Sequence, residues 1–109
     1  MSERTNETPL LDLIGRMTAD SIEAADLNEE TLMLVRIAAL VAVDAPPVSY
    51  MMNLGVASEA GIDEEKVRGV LAAVAPIVGT ARIASATGKI VRALGLAIDL
   101  AELEAEEED

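Results

Sequence analysis

Apolar and polar positions recur along this chain with the period of a helix, in blocks divided by proline, glycine and capping residues. In the first block Leu10, Leu11, Leu13, Ile14, Met17, Ile22 and Ala25 share one broad face, while Asp12, Arg16, Asp20 and Glu23 share the other. That is the pattern of an amphipathic surface helix. Thr8 stands at the N-cap position and Pro9 at the first helical position, where a missing N–H matters least. A second block opens at Asn28, a favourable N-cap, with Glu29 and Glu30 in the first turn, where the helix dipole favours negative charge. Residues 32–43, LMLVRIAALVAV, are apolar all round except for Arg36. They predict a helix covered on every side, within the domain or against another subunit. Arg36 there needs a carboxylate partner or a route to water along its own stem.

Asp44 ends the second block, and Pro46 and Pro47 break the chain before a third helix, predicted over 47–60 and closed by Gly61. Asp63 caps a fourth, with Glu64 and Glu65 in its first turn and an apolar face of Val67, Val70, Leu71 and Val74. It runs to about Ile77, and Pro76 predicts its end or a kink. Gly79 and Thr80 lead into a last helix, roughly 81–103, with Ile83, Ile90, Val91, Leu94, Leu96 and Ile98 as its apolar positions. Ala84, Gly88 and Gly95 are spaced as at a close helix crossing. The expected fold class is all-α: a single small domain of about six helices over residues 8–103, after a disordered stretch 1–7 and before an acidic tail 104–109.

Composition narrows the chemistry. Half of the 109 residues are apolar, yet Tyr50 is the one aromatic, so Leu, Ile, Val, Met and Ala must build the core. Those residues favour closely packed helices, and a chain this short gains from a partner that covers its remaining surface. Cysteine and histidine are both absent. That removes disulfides, thiol redox catalysis and the usual zinc ligand sets, and leaves carboxylates as the sole metal-binding groups; no metal and no cofactor are expected. A net charge of −12 argues against nucleic acid and anionic membranes as partners. The charge is also segregated: residues 66–98 hold five basic residues and no acid, and residues 99–109 hold seven acids. No stretch reaches the roughly 18 apolar residues of a membrane span, and the polar first residues contain no signal-like apolar run. A soluble, cytoplasmic protein is expected.

With the helices laid out, residues 28–97 resemble the carboxymuconolactone decarboxylase and alkyl hydroperoxidase D superfamily. The likeness rests on the apolar helix LMLVRIAALVAV and on GVASEAGIDEEKVRGVLAAVAPIVGTAR, residues 55–82. The family pattern of His-x-x-x-Ala-x-x-Ala-Gly, an acidic cap, an apolar helix and a glycine is matched here by Asn53, Ala57, Ala60-Gly61, Glu64-Glu65-Lys66, and Gly79 followed by Arg82 and Ile83. The resemblance implies an alkyl hydroperoxidase D-like helical fold and a homo-oligomer, a trimer or hexamer. It also implies where catalysis would sit. In the redox branch the two cysteine positions fall on Pro46 and Ser49, the histidine on Asn53 and a glutamate base on Leu34. None of these can form a thiolate or accept a proton near neutral pH.

The residues that could still contact a ligand are Ser49, Tyr50, Asn53 and Arg82. Each has a plainer role open to it: Ser49 a local hydrogen bond at a helix start, Tyr50 packing with a satisfied hydroxyl, Asn53 an interhelical hydrogen bond, Arg82 an intersubunit ion pair. Asp44 and Glu59 are the nearby carboxylates, at spacings that specify no triad. No catalytic residue is assigned. The expected function is that of a catalytically degenerate superfamily member, an oligomeric structural or binding protein for a small hydrophobic or anionic ligand. The alternative is a cysteine-independent lyase or isomerase that holds a small anionic lactone or keto acid with Tyr50, Asn53 and Arg82.

Overall fold

A computed structural model describes residues 7–108, with side chains throughout that span except at 96, 97, 99–101, 104 and 106–108. The stretch expected to be disordered, apart from Glu7, and the terminal Asp109 lie outside the described residues. Within them the protein is all-helical, with five helices rather than about six and no strand: α1 Pro9–Ala25, α2 Glu29–Ala42, α3 Pro47–Glu59, α4 Glu64–Val78 and α5 Thr80–Glu108.

The ends of the helices follow from single side chains. Asn28 Oδ1 accepts from the Thr31 amide at 2.8 Å and Asp63 Oδ1 from the Lys66 amide at 2.9 Å, so both caps satisfy a donor that the first turn leaves without a partner. Thr8 turns its hydroxyl to Asp12 instead, at 3.4 Å. At the end of α3, Gly61 takes φ 90°. The Ile62 and Gly61 amides then bond back to Ala57 O and Ser58 O at 3.0 and 3.1 Å, a Schellman closure that drops Ile62 into contact with Ala57. The end of α2 closes in the same way, with Ala45 N to Leu40 O at 3.0 Å and Asp44 N to Val41 O at 3.2 Å. Here, however, the left-handed position is held by Asp44, at φ 56°. Pro46 in extended conformation precedes Pro47 at the start of α3. Pro76 neither ends nor precedes α4 but lies inside it; only two helical residues follow it, so the missing N–H removes one of the last bonds of the ladder.

Helix α2 is the centre of the packing, laid against α3, α4 and α5, while α3 packs most extensively on α5. Met33, Ile37, Ala57 and Ile62 form one buried cluster; Val41, Ala45, Tyr50, Ala86, Ile90 and Ala93 form the other. The expectation that α2 is covered on every side holds for Leu32, Met33, Ile37 and Val41 but not for Val35 and Val43, which face outward. Helix α1 buries nothing. Helix α5 continues to Glu108, past the expected end near 103, so much of the acidic segment extends the helix rather than leaving it. No Cβ placed on Gly88 or Gly95 would meet an atom within 4 Å, and the small-residue spacing on α5 therefore marks no crossing within the protomer.

Candidate functional site

The segment between α2 and α3 and the facing turns of α5 form one polar node. Asp44 Oδ1 accepts from Lys89 Nζ at 2.9 Å and from Ser85 Oγ at 2.8 Å. Lys89 Nζ also donates to Asp44 O at 3.2 Å, and Arg82 Nη1 donates to Ala42 O. Ala42 is the last residue of α2, whose terminal carbonyls have no partner in the helix and carry the negative end of its dipole. Two cations from α5 thus close the end of α2 across the fold. Hydrogen bonds from Lys89 and Ser85, with the charges of Lys89 and Arg82, hold the Asp44 carboxyl below the usual carboxylate range. A carboxylate stabilised in its ionised form is a poor proton acceptor, so this node ties helices together rather than moving protons.

Three of the four residues singled out in the sequence lie on α3 and face different surroundings. Tyr50 is fully buried in the cluster against α2 and α5, and its hydroxyl has no hydrogen-bond partner among the described residues. Burial, with the nearby Asp44 charge, pushes its phenol upward. Asn53 is half-buried and donates from Nδ2 to Ser49 O one turn back, at 2.8 Å, which leaves Oδ1 and the second Nδ2 hydrogen to offer elsewhere. Ser49 is half-buried in the first turn of α3, and its hydroxyl bonds to no carboxylate among the described residues. Arg82 is the helix-closing donor of the node. The four do not line a common cleft.

Asn53 does line one. A cleft of about 550 Å³ opens between the second half of α1, the first half of α2 and the middle of α3. Its walls are Ile22, Leu32, Met33, Met52 and Val56, with Asn53 and Arg36 as polar members and Glu29 and Thr18 also on the lining. Arg36 is the residue that sequence reasoning left out of the site. On an otherwise apolar stretch it is the lone charge, and its guanidinium reaches Ser21 Oγ of α1 at 3.3 Å and no carboxylate among the described residues. Both described ion pairs lie elsewhere, Lys66–Glu30 at 2.8 Å and Lys89–Asp44 at 2.9 Å. A second, wider trough of about 770 Å³ runs between the start of α4 and the middle of α5, floored by Leu54, Val67, Leu71 and Ile90. Among the described residues no three acidic side chains gather as a metal site would require, and no helix is long and apolar enough to cross a membrane.

Comparison with protein-family models, with curated proteins and with solved structures returned no match for this chain. The fold and the arrangement of side chains define it as an all-helical domain with an incompletely covered apolar surface.

Proposed function

We propose that this chain is a catalytically degenerate relative of the carboxymuconolactone decarboxylase and alkyl hydroperoxidase D superfamily that works as a homo-oligomeric structural or binding protein. The order of caps, apolar helices and glycines supports the relationship. The side chains at the superfamily's reactive positions support the loss of chemistry: Asn53 is bonded back to its own helix, Pro46 and Ser49 stand where thiols would, and the Asp44 carboxylate is held ionised by Lys89 and Ser85.

The observation that carries the oligomer is surface area. The protein exposes 7766 Å², against roughly 5,800 Å² for a compact monomer of 11.4 kDa. Its radius of gyration is 16.3 Å where a compact chain of this length has about 13 Å. Large apolar side chains contribute to it: Leu10, Leu11, Ile14 and Met17 on α1, Val48 and Met52 on α3, and Val91 and Ile98 on α5 all face outward. Apolar surface of that extent marks an association site in a monomer that stays in solution. Sedimentation equilibrium or light scattering at micromolar concentration tests the proposal. A mass of several protomers is expected, three or six if the superfamily's assemblies are kept, and the mass of one protomer overturns it.

A further inference from the structure

The apolar arc of α1 spans about half the helix circumference, from Leu13 through Met17, Leu10 and Ile14 to Ile22. One neighbour covers only part of such an arc. In the protomer its edge at Thr18 and Ile22 borders the cleft above α2, and Ser21 meets Arg36. The rest of the arc stays largely uncovered: its large side chains remain 45–66 % exposed. Across the cleft, α3 presents Val48, Met52 and Val56, one turn apart and all exposed, with Met52 at 68 %. The cleft is therefore an apolar channel with one helix on each side, open along its length.

We propose that this channel receives α1 of a second copy of the chain, each of two copies laying its first helix between α1 and α3 of the other about a twofold axis; this deepens the oligomeric reading above and rests on it. Size fits. A helix of 17 residues is about 25 Å long and about 10 Å across; half-burying it removes roughly 400 Å² of helix surface and a like area of the surface that receives it, the cleft together with the exposed faces of α1 and α3 beside it. Two reciprocal seatings give about 1,600 Å², the area of a standard stable interface. Charge fits as well. Arg36 in the channel has no carboxylate partner among the described residues, and Asp20, the acid that borders the apolar arc of α1, belongs to no described ion pair. A second α1 brings this carboxylate to the channel and supplies the partner that a half-buried guanidinium favours. A small molecule filling the cleft would cover Met52, Val56 and Ile22 but leave Leu10, Leu13, Ile14 and Met17 in water. The four helices so assembled, two α1 and two α3, form a bundle closed by symmetry.

The paired variant Ile14→Glu with Met17→Glu tests this directly, since α1 buries nothing in the protomer and the change leaves the core untouched. Ala19→Glu, on the polar side of the same helix, is the charge control. Because the chain has no cysteine, a thiol at Met17→Cys in one copy and at Met52→Cys in another are the only thiols in a mixture. Expected are a mass reduced to half or less by the paired variant and unchanged by the control, and a cross-linked species of two chains joined between positions 17 and 52. An oligomer whose mass survives the paired variant, with no such cross-link, overturns this docking while the oligomeric function stands. The same result with a small apolar molecule retained by the wild type in native mass spectrometry assigns the cleft to that molecule and equally overturns it. A wild-type monomer overturns both.

Discussion

Replacing Tyr50 by phenylalanine should make the protein more stable. Tyr50 is fully buried and its hydroxyl bonds to nothing among the described residues. A buried polar group without a partner keeps a desolvation penalty of about 1–3 kcal/mol, whereas a well-made hydrogen bond contributes only about 1 kcal/mol net. Removing the oxygen relieves the penalty and forfeits the dispersion contacts of one atom, a few tenths of a kcal/mol. The net expectation is a gain of about 1 kcal/mol, or roughly 4 °C in Tm for a chain of this size. Urea unfolding followed by far-ultraviolet circular dichroism, at one fixed protein concentration because dissociation and unfolding are linked, measures it.

The same hydroxyl gives an independent readout. Tyr50 is the only aromatic residue, so phenolate absorbance reports this group alone. Burial and the Asp44 charge raise its folded-state value above the ordinary tyrosine range near 10. The neutral phenol is thus the form the fold favours, and the stability linked to it is complete below about pH 10 and lost as pH rises through the folded value. Phenolate should appear only above the free-tyrosine range, together with loss of helix. A Tyr50→Phe protein less stable by about 1 kcal/mol, or a phenol titrating reversibly at its free value in the folded state, refutes the reasoning by showing a partner or a path to water.

Four further outcomes follow from the same geometry. Asp44 sits below the usual carboxylate range because Lys89 and Ser85 bond its ionised form; its contribution is present above about pH 4 and disappears as pH falls through the lowered folded value. Asp44→Asn should therefore lower stability at neutral pH and flatten the acid limb of the pH–stability curve, and an unchanged acid limb contradicts this. Gly79→Ala forces a side chain into φ 89° and should destabilise by about 1 kcal/mol or more, while Gly15→Ala in α1, with open space for a Cβ, should stabilise by up to about 1 kcal/mol. Ile37→Ala, at the fully buried centre of α2, should cost about 3 kcal/mol in chemical denaturation. Asn28→Ala removes the acceptor for the Thr31 amide and should cost about 1 kcal/mol.

Local chemistry made most of the fold legible. The caps at Asn28 and Asp63, the glycine closure at Gly61 and the Pro47 start are decided within a few residues, so spacing alone located those boundaries. Pro76 lies two residues before the end of α4, close to where its position predicted that end. The polar node was less legible. Asp44 read as the end of a helix, and nothing in its neighbours announces that Lys89 and Ser85, more than forty residues later, will bond it. Arg82 was placed as an anion or intersubunit contact, whereas in the protomer it donates to Ala42 O: an arginine near a helix start has many partners within reach, and only tertiary packing chooses.

The channel was legible in its parts and not as a whole, and the reason is physical. A stripe of Leu10, Ile14 and Met17 carries the same pattern whether it faces its own core or another chain, because burial of apolar area is non-directional. What separates the two cases is a mismatch that sequence does not display: α1 is joined to α2 through three residues, 26–28, which hold it at the rim of the fold. From there the turns at Thr18, Ser21 and Ile22 reach Arg36 and the cleft, while Leu10, Leu11 and Met17 stay 60–66 % exposed. An isolated helix of this length is marginal in water and owes its persistence to an apolar face that packs. A helix with no buried residue in its own protomer would, if seated on a second copy as proposed, tie the folding of α1 to assembly. Dilution below the dissociation constant should then lower helical content by up to the share that α1 contributes, 17 residues of the 109, before the core unfolds. Helical content that stays constant while the mass falls to one protomer shows α1 to be stable without a partner and removes that link.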